Sequence, residues 1–239
     1  MTDQTTWVWI VLKLRSLLMG QAFMSQFRIS SPLRLRSDLH LTRKVWHIST
    51  GLIGLFFYKK SGISIDFMAS ALLTFAVAAF LFEFVRLRNE KINQVAMLLM
   101  KPVMRESERN SVSGLPFYAL GVSLALFFFP ERIAILATLF LIFADPIASF
   151  FGILYGRDKI LPNKSLQGTI AAFSVCYIVT IVYGLIYVGP SMNLLVFAIA
   201  AGIIGSISEM CSQFIDDNLC IPVVSGLGLF LVNFIVPLF

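Results

Sequence analysis

One stretch of the sequence combines acidic, basic and very small side chains in a way that suits phosphate chemistry. It runs from Ala144 to Gly168 and begins inside an apolar segment, where Asp145 stands out as a carboxylate. At offsets of four, seven and eleven residues come Ser149, Gly152 and Gly156, so a helix would carry them all on the face of that acid. Four polar residues follow directly: Arg157, Lys159, Lys164 and Ser165. A carboxylate beside small residues and cations predicts a site for a metal ion and phosphate groups at a membrane surface.

The composition of the whole chain argues against a soluble domain. The chain has 239 residues, of which 58% are apolar and only 13% are charged. Several apolar runs approach or exceed the ~20 residues that span a bilayer as a helix. Cys176, Cys211 and Cys220 lie in or beside these runs without metal-ligand spacing, so a disulfide framework is not expected. These features predict an integral membrane protein with one compact domain, and no nucleic-acid partner is expected.

The predicted fold class is all-α, a polytopic integral membrane protein with about seven transmembrane helices. The spans cover approximately residues 44–58, 63–85, 114–129, 133–154, 169–188, 194–214 and 222–238. Residues 86–111 mix charged with apolar side chains and predict one interfacial helix. Residues 5–27 predict an N-terminal amphipathic helix on the membrane surface, because Lys13 and Arg15 at mid-run disfavour a spanning helix. The chain thus divides into an N-terminal cytoplasmic segment, 1–42, and a transmembrane domain, 43–239.

Basic residues are distributed unequally between the two sides that seven spans define. One side holds eleven of them: Arg43, Lys44, Arg86, Arg88, Lys91, Lys101, Arg105, Arg109, Arg157, Lys159 and Lys164. The other side holds only Lys59, Lys60 and Arg132. Because Lys and Arg in short loops favour the cytoplasm, the first side is predicted to be cytoplasmic.

Four further polar clusters fall at the cytoplasmic ends of the predicted spans. They are Arg43 with Lys44 and His47; Glu83 with Arg86; Arg105 with Glu108; and Glu209 with Asp216, Asp217 and Asn218. Residues three or four apart share a helix face, which applies to the first three clusters. Glu209 and Asp216 are seven apart, which would also place them on one face of a helix. Separate spans would therefore deliver all of these side chains to one side of the membrane.

Asp145 and Glu209 are the strongest candidates for catalytic or metal-binding groups. An unpaired charge inside a membrane is costly, so ionisable residues there are functional candidates. Mg²⁺ prefers oxygen ligands and usually takes one or two carboxylates together with substrate phosphates. Zinc is disfavoured, because the two histidines, His40 and His47, do not form a ligand pair.

Over roughly residues 40 to 230 the sequence resembles the CTP-dependent lipid-alcohol kinases, which include dolichol kinase, phytol kinase and a CTP-using diacylglycerol kinase. The most specific match is Asp145-Pro146-x-Ala148-Ser149-x-x-Gly152-x-x-x-Gly156-Arg157-x-Lys159, continued by Asn163-Lys164-Ser165-x-x-Gly168. The other matches are Arg43-Lys44-x-x-His47 with Gly51, Arg105-x-x-Glu108 with Gly114 and Gly121, and Asp216-Asp217-Asn218-x-x-x-Pro222. One position departs from the pattern: Gln167 stands where the family often carries Glu.

The resemblance implies that the γ-phosphoryl group of CTP passes to the hydroxyl of a membrane lipid, and that residues 43–239 form the kinase domain. Asp145 with Asp216 or Asp217 would hold Mg²⁺ or a similar divalent cation, and Glu209 or His47 would accept the hydroxyl proton. The nucleotide would contact Arg43, Lys44, Arg105, Ser149, Gly152, Gly156, Arg157, Lys159, Asn163, Lys164, Ser165 and Gly168. The supporting polar residues would be Glu83, Arg86, Glu108 and Asn218. If the acid replaced by Gln167 serves the metal in relatives, Glu209 or Asp216 would cover that role here.

Several alternatives stay open on the sequence alone. The acceptor is diacylglycerol, a polyprenol or dolichol, or phytol or a similar isoprenoid alcohol; the run from Arg105 to Glu108 favours the diacylglycerol-using branch. A phosphatidate cytidylyltransferase, which would release pyrophosphate and form a CDP-lipid, is a second class of enzyme that uses CTP and a membrane lipid. A membrane transporter is a third class, although the charges gather at one face instead of at mid-depth. The sequence leaves the oligomeric state open.

Overall fold

Helices make up almost all of the fold. The structure is a computed structural model that describes residues 40–100 and 104–239. Within these residues the helices are α1 (Leu41–Ser61), α2 (Ile65–Arg88), α3 (Glu90–Leu99), α4 (Gly114–Phe128), α5 (Glu131–Tyr155), α6 (Leu166–Tyr187), α7 (Met192–Cys211) and α8 (Asp217–Ile235). A 3₁₀ helix covers Glu106–Asn110, and two short strands, β1 (Lys159–Leu161) and β2 (Lys164–Ser165), lie between α5 and α6. The predicted all-α class is confirmed.

Each of the seven predicted spans coincides with one of the long helices. Five of these helices, α2 and α5 to α8, are long and apolar enough to cross a bilayer. Helix α4 has only 15 residues, and α1 carries two basic residues in each of its end turns. An integral membrane protein is therefore confirmed, whereas the crossing of the bilayer by α1 and α4 stays a prediction. The amphipathic helix predicted over 5–27 lies outside the described residues.

Helix α5 forms the centre of the bundle. It packs against α6 and α8, α7 packs between those two, and α4 fills the space between α2 and α8. Of the five candidate spans α5 is the most buried, and side chains such as Phe140, Leu141 and Ile142 have no exposed surface. Its C-terminal third, which carries Asp145 and Ser149, is therefore held in place by helices on several sides.

The prediction of a single interfacial helix over 86–111 is wrong. Helix α2 continues to Arg88, and Asn89 then adopts an extended conformation that ends it. The Asn89 side chain accepts hydrogen bonds from the backbone N–H groups of Lys91 and Ile92 and so caps α3. Asparagine is favoured at such caps because its short side chain satisfies donors that the first helical turn leaves open. Glu106, Glu108 and Arg109 belong to the 3₁₀ helix, and Arg105 is its N-cap.

The connection between α5 and α6, which lies between the predicted spans 133–154 and 169–188, contains a hairpin in which β1 and β2 pair antiparallel. One further prediction near the polar end needs correction. Helix α7 ends at Cys211, so Glu209 and Asp216 do not share a helix face as their spacing suggested. Instead Asp216 is the N-cap of α8, and its Oδ1 accepts a hydrogen bond of 3.0 Å from the backbone N–H of Asn218. The acids of this region therefore meet across a helix–turn–helix connection.

The predicted pair of Glu83 and Arg86 is buried inside the polar end of the bundle. Only 5% of Glu83 and 1% of Arg86 is exposed, and the two side chains form an ion pair. Arg86 also donates hydrogen bonds to the carbonyl oxygens of Glu108, at 3.1 Å, and Ser111, at 2.9 Å. The Ser113 N–H and hydroxyl donate to the Glu83 carboxylate at 2.9 and 3.0 Å. This pair therefore anchors the segment between α3 and α4 onto α2.

Replacing Arg86 by Met should destabilise the protein strongly, because the buried Glu83 carboxylate would lose its counter-ion. We expect the free energy of unfolding in detergent to fall by about 3–5 kcal/mol. The matched control is Arg88→Met, since Arg88 is exposed and its guanidinium lies over the Phe84 ring, 3.8 Å from the ring centroid. That change should cost about 1 kcal/mol or less. Equal losses in the two variants, measured by denaturant titration, would contradict the anchoring role of Arg86.

Candidate active site

An open cleft of about 590 Å³ lies between the start of α1, Arg105 and the C-terminal third of α5. The residues that line it are His40, Arg43, Lys44, His47, Arg105, Asp145, Pro146, Ser149 and Ile153. Three of these side chains are permanent or near-permanent cations and one is a carboxylate. Six predicted site residues thus come together in one cavity, although 105 positions separate Lys44 from Ser149.

Hydrogen bonds tie the basic residues of α1 to two other elements. Lys44 Nζ donates to Ser149 Oγ at 2.7 Å, which joins α1 to α5. Arg43 Nη1 donates to both carboxylate oxygens of Glu108, at 2.8 and 2.9 Å, which joins α1 to the 3₁₀ helix. Glu108 also accepts from the backbone N–H of Arg105 at 2.8 Å, so its carboxylate fixes both flanks of the cleft. The first and third polar clusters predicted from the sequence therefore form one unit.

A second group of polar side chains surrounds Lys164 on β2. Its Nζ lies 2.7 Å from Glu209 Oε1, 2.7 Å from Ser212 Oγ and 3.4 Å from Asp217 Oδ1. Burial lowers the pKa of the Lys164 ammonium, but the carboxylates of Asp217 and Glu209 outweigh this effect and raise that pKa overall. Lys164 therefore remains charged at neutral pH and holds two acids from different helices together.

The two groups form one electrostatic site. Asp145 of the cleft lies within interaction range of Asp217 and Lys164, and also of His47 and Arg105. Lys44 in turn interacts with Asp145 and Asp217. Acids and bases from α1, α5, β2 and the start of α8 thus share one region of low solvent access, where charges influence each other more strongly than in water.

In the motif Asp216-Asp217-Asn218, Asp216 caps a helix and Asp217 contributes a charge to the site. Asp216 accepts hydrogen bonds from both the backbone and the side-chain amide of Asn218. Burial, followed by repulsion from Asp217, raises the pKa of Asp216 to about 6. Asp217, not Asp216, makes the contact with Lys164. Of the two acids considered as alternatives, Asp217 is therefore the one that joins the charged group.

The glycines of the opening motif let α5 approach the hairpin and α6 closely. A Cβ on Gly156 would come within 2.6 Å of Ser165 Oγ, and one on Gly168 within 3.0 Å of the Ala148 carbonyl oxygen. Gly152 faces the same Ser165 hydroxyl, which also caps α6 by accepting from the Gly168 N–H. These residues position the site through packing, and their direct contact with nucleotide stays a prediction.

Eight of the twelve predicted nucleotide contacts are not among the residues that line the cleft, and three of these eight are exposed to solvent. Arg157, Lys159 and Asn163 are exposed on and around the hairpin and are not among the lining residues. The departing residue, Gln167, donates from Nε2 to Asp158 Oδ2 at 2.7 Å and so joins the start of α6 to the segment before β1. Its role in this structure is to hold the hairpin. Contact of the three exposed residues with a bound nucleotide stays a prediction.

Sequence reasoning missed two polar residues of the site. Ser212 Oγ accepts a hydrogen bond from Lys164 Nζ, and its place three residues after Glu209 is the signal that could have indicated it. Tyr118 packs its ring edge-on against His47, with 5.0 Å between ring centroids. No local signal marks Tyr118, because its contact with α1 arises only from the packing of α4.

The residues present fit a divalent cation that is shared with phosphate oxygens. Within residues 40–100 and 104–239, no three His, Cys, Asp or Glu residues converge closely enough to hold a metal by themselves. Mg²⁺ needs only one or two carboxylates when phosphates supply the other ligands. Asp145 and Asp217 interact across the site, and Glu209 Oε2 is buried without a hydrogen-bond partner among the described residues. A buried carboxylate oxygen of this kind is suited to a cation ligand.

A helical membrane bundle with a cationic, acid-containing cleft at one end belongs to the class of membrane enzymes that act on phosphate-bearing substrates. The chain is similar to CTP-dependent diacylglycerol kinase 1 of Schizosaccharomyces pombe, with 35% identity over 168 residues, which make up 65% of this chain and 77% of that protein. It is also similar to CTP-dependent diacylglycerol kinase 1 of Saccharomyces cerevisiae, with 29% identity over 207 residues, or 78% of this chain and 71% of that protein. No family model matches the chain, and no solved structure does.

The chain therefore belongs to the CTP-dependent diacylglycerol kinase family. It is a CTP-dependent lipid kinase, and CTP is its phosphoryl donor. This confirms the expectation drawn from the motifs over the cytidylyltransferase and transporter alternatives.

Three glycines of the motifs that match the lipid-alcohol kinases lie where helices approach each other closely at this site. A Cβ on Gly51 would meet the Tyr118 hydroxyl at 2.6 Å, and one on Gly114 would meet the Asn218 side-chain nitrogen at 2.7 Å. A Cβ on Gly121 would overlap the backbone oxygen of Asn218. Because a backbone atom cannot rotate away as a side chain can, Gly121 is the least replaceable of the three.

Replacing Gly121 by Ala should push the start of α8 away from α4 and displace Asp217. We expect a loss of about 1–3 kcal/mol in stability, as for other overpacked sites, together with a fall in CTP-dependent turnover. The matched control is Gly54→Ala in α1, where a Cβ meets no atom within 4 Å. That variant should equal or slightly exceed the wild type in stability, since Ala favours a helix over Gly. Thermal unfolding in detergent and an initial-rate assay would show whether the two variants differ.

Proposed function

We propose that this lipid kinase phosphorylates diacylglycerol to phosphatidate on the cytoplasmic face of the membrane, with Mg²⁺ as the metal. The observation that supports this best is the cleft itself, where Arg43, Lys44 and Arg105 face Asp145 and Ser149. Phosphoryl transfer requires in-line positioning and charge neutralisation more than covalent chemistry, and this set of side chains supplies both. Diacylglycerol is favoured as the acceptor because the relatives in both yeasts are named for it.

The basic residues of the cleft are proposed to bind the triphosphate. Lys44 and Arg105 would contact phosphate oxygens directly, since charge-assisted hydrogen bonds to phosphate are strong and short. Arg43 is held by Glu108, so it would contribute charge at the rim while keeping α1 in place. Lys164 would neutralise Glu209 and Asp217, which keeps these acids compatible with a nearby nucleotide.

Asp145 and Asp217 are proposed to hold Mg²⁺ together with the phosphates. When bound, the ion would neutralise charge on the β- and γ-phosphate oxygens. Glu209 Oε1 is engaged by Lys164, and Oε2, which has no hydrogen-bond partner among the described residues, is proposed as a further oxygen ligand for the ion. This differs from its expected role as proton acceptor.

His47 is the better candidate to accept the proton of the lipid hydroxyl. Its Nε2 lies 3.1 Å from the carbonyl oxygen of Leu141. A carbonyl only accepts hydrogen bonds, so Nε2 must carry the proton, and Nδ1 then has a free lone pair in the neutral ring. As the hydroxyl oxygen bonds to the γ-phosphorus, the bond from that phosphorus to the β-phosphate oxygen breaks. The hydroxyl proton passes to His47 Nδ1, and CDP leaves.

The decisive experiment offers purified protein γ-labelled CTP and, one at a time, diacylglycerol, a polyprenol and phytol. We expect label in phosphatidate and little in the isoprenoid phosphates. Asp145→Asn should lower the rate by about 1,000-fold, because the site would lose an electrostatic group that acts in the transition state. The matched control is Asp66→Asn, an exposed acid in the first turn of α2, which should leave the rate unchanged. Substantial activity of a folded Asp145→Asn protein would rule out the metal role, and preference for an isoprenoid alcohol would rule out the proposed substrate.

Replacing His47 by Ala should lower kcat by about 100-fold or more, with a much smaller change in KM for CTP, because general bases typically contribute that much. Added imidazole should restore part of the rate, since it can enter the space left by the ring and accept the proton. A purely structural role for His47 would give no such rescue. Imidazole should have no effect on Asp145→Asn, which serves as the control for non-specific activation.

A further inference from the structure

A second cavity, of about 530 Å³, adjoins the cleft on the other side of His47. Its apolar lining consists of Trp46, Met100, Met104, Leu115 and the ring of Tyr118. The polar residues of the lining are Arg43, His47, Thr50, Glu108, Ser113 and Asn218. We refer to this cavity as the groove.

The groove and the cleft share two side chains, Arg43 and His47. A molecule with a polar end and an apolar body would place the polar end next to His47 and the body among the apolar side chains. Its hydroxyl would then meet the residue that also faces the phosphate-binding cleft. This is the relation that phosphoryl transfer requires, because acceptor and donor must approach within contact distance in line.

The walls of the groove reach the lipid-facing surface of the bundle. Trp46 is 54% exposed and Leu115 is 43% exposed, so both extend from the groove to the outer surface. The same surface of α1 carries Ile53, Phe56 and Phe57, each more than half exposed. Large apolar side chains in such numbers face lipid when a protein lies in a membrane. A lipid could therefore enter the groove sideways while its acyl chains remain in the bilayer.

The Tyr118 ring lines the groove and packs edge-on against His47. Its hydroxyl is buried in the contact with α1, where a Cβ on Gly51 would lie 2.6 Å away. The groove therefore offers aromatic ring surface, and not a hydroxyl, next to His47.

We propose that the groove binds the acceptor lipid, with its hydroxyl beside His47, its glycerol backbone against the Tyr118 ring, and its acyl chains leaving past Trp46 and Leu115. This inference rests on the proposed phosphorylation of diacylglycerol and adds where that substrate lies.

The first test places a larger side chain in the groove and leaves the residues of the cleft unchanged. Leu115→Trp should raise the KM for diacylglycerol, measured as surface concentration in mixed micelles, by about 10-fold and leave the KM for CTP unchanged. The matched control is Leu81→Trp, since Leu81 is 63% exposed on the lipid-facing side of α2 and lies outside the groove. Equal lipid KM values for the two variants and the wild type would overturn the inference.

A second measurement uses the wild-type protein, so that it does not depend on how a variant folds. Diacylglycerol with a photoreactive diazirine near the glycerol should label residues of the groove, such as Met104 and Leu115, and excess unlabelled diacylglycerol should compete. Labelling confined to other helices would overturn the proposed role of the groove as the lipid site, even if the enzyme makes phosphatidate. Conversely, a protein that transfers no phosphate from CTP to diacylglycerol would refute the proposed function, whatever the labelling shows.

Discussion

The ion pair of Glu83 and Arg86 lies where neither side chain reaches water, so each charge must be satisfied by other protein groups. Most of the groups that do so belong to the segment between α3 and α4: two carbonyl oxygens bond to Arg86, and the Ser113 N–H and hydroxyl bond to Glu83. The Asn93 side chain of α3 accepts a further hydrogen bond from Arg86. A segment that is rich in charge and short of helix is thereby fixed on the bundle. Because that segment carries Glu108 and Arg105, the position of the cleft depends on a charge pair that is not part of its lining.

The need of buried charges for protein partners also explains why the cations of the site are not all equivalent. Arg43 and Lys164 each face carboxylates at hydrogen-bond distance, whereas Lys44 is bonded to a neutral hydroxyl. The paired cations keep buried acids from repelling one another and hold α1, β2, α7 and α8 in register. A triphosphate that enters the cleft competes least with existing ion pairs at Lys44. Arg43 and Lys164 thus stabilise the structure, whereas Lys44 is available to bind a ligand. Composition alone would count all three simply as positive charge.

The positions of the helices and the gathering of charge at one end could be predicted from the sequence, because both follow from local information. Apolar runs of sufficient length must cross the bilayer as helices, and charges accumulate where those runs end. The partners of individual charges could not be predicted. Arg43 pairs with Glu108 across 65 positions, and Lys164 with Glu209 across 45, and such contacts depend on how helices pack in three dimensions. The break at Asn89 was missed for another reason: a single cap outweighed the amphipathic pattern on both sides of it.

The contact between α4 and α8 is where the packing of helices most directly sets the position of a charged residue of the site. Gly121 leaves no space for a side chain against the backbone of Asn218, and Gly114 faces the side chains of Asn218 and Arg43. The N-terminus of α8 is therefore set by contacts with α4, and Asp217 follows from it because it is the first residue of that helix. Since Asp217 must reach both Lys164 and the region of Asp145, a shift of about one ångström at the glycines would separate charges that act together. The spacing of glycines and acids that the sequence shares with lipid-alcohol kinases thus reflects a single requirement, which is to bring carboxylates from different helices to one phosphate-binding cleft.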